Sequence, residues 1–564
     1  MNTNLATIRA RDTTTDYIHR IKPERFSEND NWRNKTASRY PDAISKGLIE
    51  NHQRIEKSLD YFLANRYLLT IAEALETITF DGVENDESIR QKAKCVSMRC
   101  KRVARNLKDA SDIKPLLEIL NFHEIDPPIS ENTNSIILRL CCERWWTKAL
   151  RKKINRNYET IARNLNIVKR QKQIYITDLA VRKRRERNTR ARALLKLMVA
   201  VNELGEEFTL EELQETSVSN PKLRRVELMT RIAGFDQYAK KHGYIGMFYT
   251  ITCPSKMHST HSKSGEMNLN FQSYSPRDAQ NYLRDLWACI RSKLKREQCE
   301  FFGFRVAEPN HDGTPHWHLL AFIRPKQESR VSEILKFYAL LEDPDEKGAD
   351  KYRFKAVAID WNRGTAASYI AKYVSKNIDG FGIDQDLYHK DAKSSAERVN
   401  TWASEWGIRQ FQQFGGPSVT IWRETRKLKP GQYQNTVNEI IDACDSGDWC
   451  RYFELMGGPG TKRCEMPIQL TKIWIDKLGE YGEPIGYRIF GIEYENITIR
   501  TRSQWTVRFK NENCLIWGGS SVLSEAATPA HEGTEGGVLA VKRTDDRGPH
   551  VKGFSFNTPL EYCQ

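Results

Sequence analysis

The sequence predicts an α+β protein in which a central, largely antiparallel sheet is flanked by helices. A helical amino-terminal region precedes it and a smaller mixed carboxy-terminal region follows. Three observations support this. Apolar residues recur at helical spacing through the first 140 residues, as in IEKSLDYFLANRYLLTIAEALETI. From residue 236 the texture changes to β-rich runs bounded by turn residues. Strand-like and helix-like segments then follow one another in mixed order rather than in regular alternation, which favours antiparallel pairing.

A chain of 564 residues exceeds a single core. Four regions are expected: a helical domain over 1–140, a basic helical segment over 141–235, an α+β domain over 236–430, and an α/β region with a flexible tail over 431–564. In the first, DPPIS at 126–130 breaks the helical pattern. In the second, RWWTKALRKKINRNYETIARNLNI and DLAVRKRRERNTRARALLKLMVAVNEL read as two helices. In the third, GYIGMFYTITCPS is a strand closed by proline. A helix follows the polar loop, with Ser275 as N-cap, Pro276 at its first position, and Leu283, Leu286, Ile290 and Leu294 on one face. FFGFRVAE and HWHLLAFI are strands joined by the turn PNHDGTP. A short strand at FKAVAID and the helix TAASYIAKYVSKN complete the domain. In the last region, YQNTVNEIIDACDSGDWCRYFELM is helical and GYRIFGIEYENITIRTR strand-like. Residues 518–550, rich in Gly, Ser, Thr and Ala, are expected to be mobile.

Composition narrows the function. No apolar run reaches the roughly 18 residues that span a bilayer, and the first residues, MNTNLATIRARDTTTDY, lack a secretory h-region. The expected compartment is the cytoplasm. The 12 cysteines include no CxxC pair, so a zinc ribbon or finger is not expected. GGPGTKRC at 457–464 lacks the phosphate-loop spacing and reads as a turn. The net charge of +15 is concentrated: residues 144–196 hold 18 Lys and Arg against three acids, an excess equal to that of the whole chain. Nucleic acid is the first partner such a segment implies, with Arg182, Lys183, Arg184, Arg185 and Arg187 at its densest point. A basic arm held against acids of the same protein is the other reading.

Three of 12 histidines fall between 311 and 318. In a strand, His316 and His318 share a face, with Trp317 on the other. Two imidazoles about 6.6 Å apart along a strand can converge on one metal. If the turn centres on Asp312, Glu308 lies across from His316 and supplies a third ligand. A register slip by one residue would turn Glu308 away and leave His311, otherwise expected in solvent, as the substitute. On the following helix, Tyr369 and Tyr373 are i,i+4 neighbours, and Lys372 and Lys376 form a second row beside them. A phenol is a weak nucleophile at neutral pH unless a metal polarises the phosphodiester and a lysine favours phenolate. Lys372 is the candidate for that lysine.

The hairpin HDGTPHWHLLAF followed by YIAKYVSK resembles the two-tyrosine His-hydrophobic-His (HUH) endonucleases, and more narrowly the phage replication initiator (gene A) proteins. FYTITCPSKMH, FGFRVAEPNHDGTPHWH and RQFQQFGGPSVTIWRETRKL extend the likeness over roughly 240–430. The resemblance implies an HUH-type catalytic domain and a site- and strand-specific nickase that starts rolling-circle replication through a 5′-phosphotyrosine. It implies Tyr369 and Tyr373 as nucleophiles, His316 and His318 as metal ligands, and Mg²⁺ or Mn²⁺ as the ion, although imidazoles alone would also suit zinc. Glu308 as third ligand rests on the hairpin. Origin DNA, a host helicase and a replicative polymerase are the implied partners, in the cytoplasm of a bacterial host. Two-tyrosine transposases and plasmid initiators share the chemistry, but such transposases commonly carry an amino-terminal zinc module for which this chain has no suitable cysteine pairs. A non-catalytic DNA-binding regulator would have no need of the His-x-His strand.

Overall fold

The computed structural model describes residues 24–510 apart from 77–84, 108, 110–111, 131, 383–390, 432 and 434. The segment at 518–550 lies outside the described residues. Eleven strands are described: β1 (Met198–Asn202), β2 (Glu207–Thr209), β3 (Ile245–Thr252), β4 (Phe301–Pro309), β5 (Pro315–Ile323), β6 (Phe354–Ala358), β7 (Phe411–Phe414), β8 (Gln469–Leu478), β9 (Pro484–Tyr494), β10 (Ile497–Arg500) and β11 (Trp505–Phe509). The amino-terminal region is helical, and its core runs from Ala37 on through Trp146, Ile154 and Tyr158 to Val168. The helix Glu143–Asn164 therefore buries its apolar face against the region before it.

The central sheet has the order β6-β3-β5-β4-β7, and every pair is antiparallel. Side chains alternate across it. Phe302, Phe304, Val306, Leu320 and Phe322 enter one core with helices Pro221–Lys241 and Ala366–Ile378. Trp317, Leu319, Ala321, Ile323 and Ala307 enter another with helix Pro276–Arg296. Both faces are covered, so β4 and β5 are buried along nearly their whole length. Ser275 caps helix Pro276–Arg296 as expected, its side chain accepting from the Asp278 N–H.

The basic helix differs from expectation. It ends at Leu197, and Met198–Asn202 is instead a strand between β2 and β11. Val199 and Val201 are β-branched, and a partner some 300 residues away in sequence supplies the ladder that local pattern cannot reveal. The carboxy-terminal region thereby closes back on the basic segment, and fully buried Glu424 holds Arg502, just before β11, at 2.7 Å.

Candidate active site

The β4–β5 hairpin places the chemistry. Its turn closes through Asn310 N–H to Thr314 O (2.7 Å) and Gly313 N–H to Asn310 O (2.8 Å). Gly313 has φ +81°, and a Cβ there would sit 2.8 Å from the Tyr175 carbonyl oxygen, so glycine is required twice over. Asp312 is fully buried and accepts from Ser259 N–H (2.8 Å) and Thr314 Oγ1 (2.9 Å). Arg163 Nε donates to the Asp312 carbonyl at 2.8 Å. The turn's register pairs Glu308 with His316 and Val306 with His318.

All three side chains therefore lie on the sheet face toward helix Ala366–Ile378. Their ligand atoms all fall within 4.8 Å of one another. His316 Nε2 and His318 Nε2 are 2.9 Å apart, and His318 Nε2 is 3.8 Å from Glu308 Oε2. Thr250 Oγ1 lies 3.0 Å from His318 Nδ1. If that nitrogen carries the proton, the Nε2 lone pair is directed into the cluster. His316 Nδ1 is buried without a partner among the described residues. Two neutral imidazoles and a carboxylate whose lone pairs converge form a donor set that fits a divalent cation. Burial, with the neighbouring His318, pulls His316 down to about 3; burial and Lys376 do the same to His318.

The helix brings its own groups to this cluster. The Tyr373 ring centre is 4.2 Å from that of His318, and both rings stack on Phe248. Burial first, and the Glu308 charge second, raise the Tyr373 phenol to about 12. Tyr369, one turn earlier, is partly buried against the same apolar core. Lys372 is exposed. Lys376 and Asn377, the next turn along, are buried: Lys376 Nζ is 3.4 Å from Glu308 Oε2, and Asn377 Nδ2 donates to Glu308 Oε1. From sequence Lys376 was read only as part of the lysine row beside the tyrosines, with Lys372 as the candidate lysine, and Asn377 was not singled out. The signal was their spacing of three and four residues from Tyr373, which puts them on its face.

His311 is also corrected. Expected in solvent, it is 2% exposed and held near Thr260 Oγ1 (3.3 Å), because the loop after β3 folds over the turn. It does not substitute for Glu308.

The basic helix Asp178–Leu197 presents a mixed picture. Arg182 and Arg185 are exposed, Arg184 and Arg187 half-buried, and Lys183 only 6% exposed, with Nζ donating to Asn155 Oδ1 at 3.0 Å. Arg185 makes a two-pronged pair with Glu397 (Nε to Oε1 2.6 Å), and Arg190 reaches Asp86 at 3.3 Å. Arg163 is 2% exposed. Part of the charge excess is thus held by acids and carbonyls of the same chain. A buried ammonium such as that of Lys183 cannot meet a phosphate unless the helix moves.

A family model described as bacteriophage replication gene A protein (GPA) matches residues 56–381, more than half of the chain. The chain belongs to this gene A family. Its relatives include the replication gene A protein of Escherichia phage 186, 39% identical over 357 residues, covering 62% of this chain and 51% of that one. The probable replication protein P12 of Pseudoalteromonas phage PM2 is 37% identical over 403 residues, covering 69% and 62%. A probable replication endonuclease from a prophage-like region of Salmonella paratyphi A is 34% identical, covering 63% and 46%. The chain thus spans about half the length of the curated gene A relatives it matches. No solved structure matches it. The family match ends just after the tyrosine helix, so the helix and hairpin described above both lie within it.

The histidines make stability depend on pH. Both have folded-state values near 3 against about 6.5 unfolded. Between those values the unfolded chain binds more protons, so stability rises with pH through that window and is lost as pH falls from 6.5 toward 3. Denaturant midpoints measured with chelator from pH 7 to pH 4 are expected to fall. The fall should be shallower in His316→Ala/His318→Ala; an equal slope in the variant would assign it to other groups.

Proposed function

We propose that the chain is a site- and strand-specific DNA nickase and strand transferase that initiates rolling-circle replication of a phage genome. The observation that carries this reading is the Tyr373 ring lying over His318, beside a converging His-His-Glu donor set, in a chain of the gene A family. His316, His318 and Glu308 would hold the ion, Mg²⁺ or Mn²⁺ in this reading. Its chemistry is to polarise the phosphodiester and offset the charge that builds on its oxygens.

A tyrosine Oη attacks the scissile phosphorus, forming a tyrosyl O–P bond as the P–O3′ bond breaks. The phenol proton is lost and the departing 3′-oxygen gains one, so the step is a balanced transesterification that leaves a 5′-phosphotyrosine and a free 3′-hydroxyl. In this reading Lys376, whose Nζ lies 3.4 Å from Glu308 Oε2, takes the role of steadying the phosphate and the phenolate in place of exposed Lys372. Asn377 holds Glu308 in orientation. The ester conserves the energy of the broken bond, so the second tyrosine can cut the regenerated origin and the freed 3′ end can rejoin the first 5′ end. Strand separation and synthesis fall to a host helicase and polymerase in the bacterial cytoplasm.

Mixing the protein with single-stranded origin DNA and Mg²⁺ or Mn²⁺ tests the reading. The expected product is a covalent protein–DNA adduct that survives denaturant. A retarded complex with no adduct would identify a regulator instead.

A further inference from the structure

The donor set is closed on one side of the sheet and open on the other. Toward β7, Glu308 is 1% exposed, Lys376 and Asn377 are buried against it, and Gln410 donates to Asn377 Oδ1 at 3.3 Å. Toward β6 the cover thins. His318 is buried, His316 is half-buried, Thr250 and Thr252 on β3 are half-buried, and β6 is exposed from Lys355 to Ala358. A strand that reaches the cluster from this open side meets β6 first.

The register places a cation there. His318 stands opposite Thr250 on β3, and Thr250 stands opposite Lys355 on β6. Antiparallel partners share a face, so Lys355 belongs to the face that carries the donor set, two strand spacings or about 10 Å from His318. Its neighbour Phe354 turns the other way and stacks on Tyr249 in the opposite core, with ring centres 5.8 Å apart. Val357, opposite Phe248 and on the same face as Lys355, is 37% exposed, so the helices that bury Phe248 stop short of β6. Lys355 is exposed and makes no ion pair among the described residues, unlike Arg185 and Arg190 of the basic helix. Its ammonium is a point charge on a flexible stem, free to meet a phosphate.

We propose that Lys355 binds a backbone phosphate flanking the scissile one, so that the nicked strand crosses the β6 edge on its way to the cluster. The distance of about 10 Å, at 3.4 Å or more per nucleotide, puts that phosphate no more than about three nucleotides from the scissile bond. This rests on the functional reading above. Lys355 holds the strand and takes no part in the bond exchange.

The test follows covalent adduct formation with a single-stranded origin oligonucleotide and Mn²⁺ over a range of DNA and salt concentrations. Lys355→Ala is expected to raise KM about fivefold near 0.15 M salt, the upper range for an exposed ion pair, with kcat changed less than about twofold. The dependence of log KM on log salt should become shallower by about 0.7, as for one phosphate of a single strand. Lys355→Arg keeps the charge and should behave as wild type. So should Lys336→Ala, which removes an exposed lysine from helix Glu328–Leu340 on the opposite face. Uncharged methylphosphonate linkages, placed one at a time on either side of the scissile bond, locate the contact: one of them should weaken the wild type and leave Lys355→Ala unaffected. An unchanged KM in Lys355→Ala, beside a wild type that forms the adduct, would overturn the site alone and leave Lys355 as a charge guarding a sheet edge. An equal loss in Lys336→Ala, a fall in kcat rather than a rise in KM, or no linkage at which the two proteins differ would overturn it too. A wild type that forms no adduct would sink the functional reading and the site together.

Discussion

Replacing His316 and His318 together by alanine is expected to abolish nicking while leaving binding to single-stranded DNA nearly unchanged. Polarisation by a bound metal contributes several kcal/mol to a phosphoryl transition state; about 4 kcal/mol corresponds to roughly a thousandfold in rate. Among the described residues the cluster offers three convergent ligand atoms, so the double change would remove two of the three groups that would hold the ion. Both imidazoles are neutral at working pH and contribute no cation to the DNA interface. His318 also packs against Phe248 and Tyr373, so truncation leaves a gap beneath the helix. Glu308→Gln separates the effects. It keeps side-chain volume and the hairpin but removes the carboxylate that faces His318 and Lys376. Comparable loss of cleavage in both variants, with Mn²⁺ binding by calorimetry lost in each, fits a metal centre. Equal loss of cleavage and of DNA binding in the double alanine variant would make the histidines structural.

The hairpin was the most legible part of the chain because its period is short. Strand side chains alternate strictly, so His-x-His defines a face, and a turn centred on Asp312 fixes which residue stands opposite. The alternation of Phe302, Phe304 and Val306 against Arg305 and Ala307 follows the same rule. What escaped depends on partners remote in sequence. The pairing of β1 with β11, the burial of His311 beneath the loop after β3, and the capture of Arg185 by Glu397 are all long-range events. No local pattern distinguishes Arg185 from a cation free to meet DNA. Lys376 and Asn377 are a different case. Their face was readable from helical spacing, but their burial depends on how the helix rolls on the sheet, and that is set by Ile370 and Val374 in the core. Lys372, equally spaced in a row of its own, rolls outward.

Changing both Tyr369 and Tyr373 to phenylalanine is expected to eliminate the covalent adduct, while each single change leaves one competent nucleophile. Phenylalanine preserves ring packing, so the comparison isolates the hydroxyl. Four residues of helix separate the two phenols by about 6 Å along the axis, too far for both to address one phosphorus at once. In the conformation described, Tyr373 is the one whose ring meets His318. Tyr373→Phe should therefore lose most of the first cleavage, and the residual adduct should map to the peptide carrying Tyr369. Tyr369→Phe should cleave at close to the wild-type rate. Neither single variant should complete the cycle, because the regenerated origin then meets a helix whose remaining phenol is consumed or misplaced. The measurement is peptide mapping of the adduct together with an assay for the rejoined circle. Two single variants that cleave and rejoin like the wild type would end the alternation argument, and an adduct persisting in the double variant would move the nucleophile off this helix altogether. The raised Tyr373 value bears on the same experiment. Part of that rise comes from Glu308, whose charge would be shared with a bound cation. Adduct yield from Tyr373 should thus depend more steeply on Mn²⁺ concentration than DNA binding does, because a cation held by His316, His318 and Glu308 would offset the carboxylate charge that disfavours the phenolate.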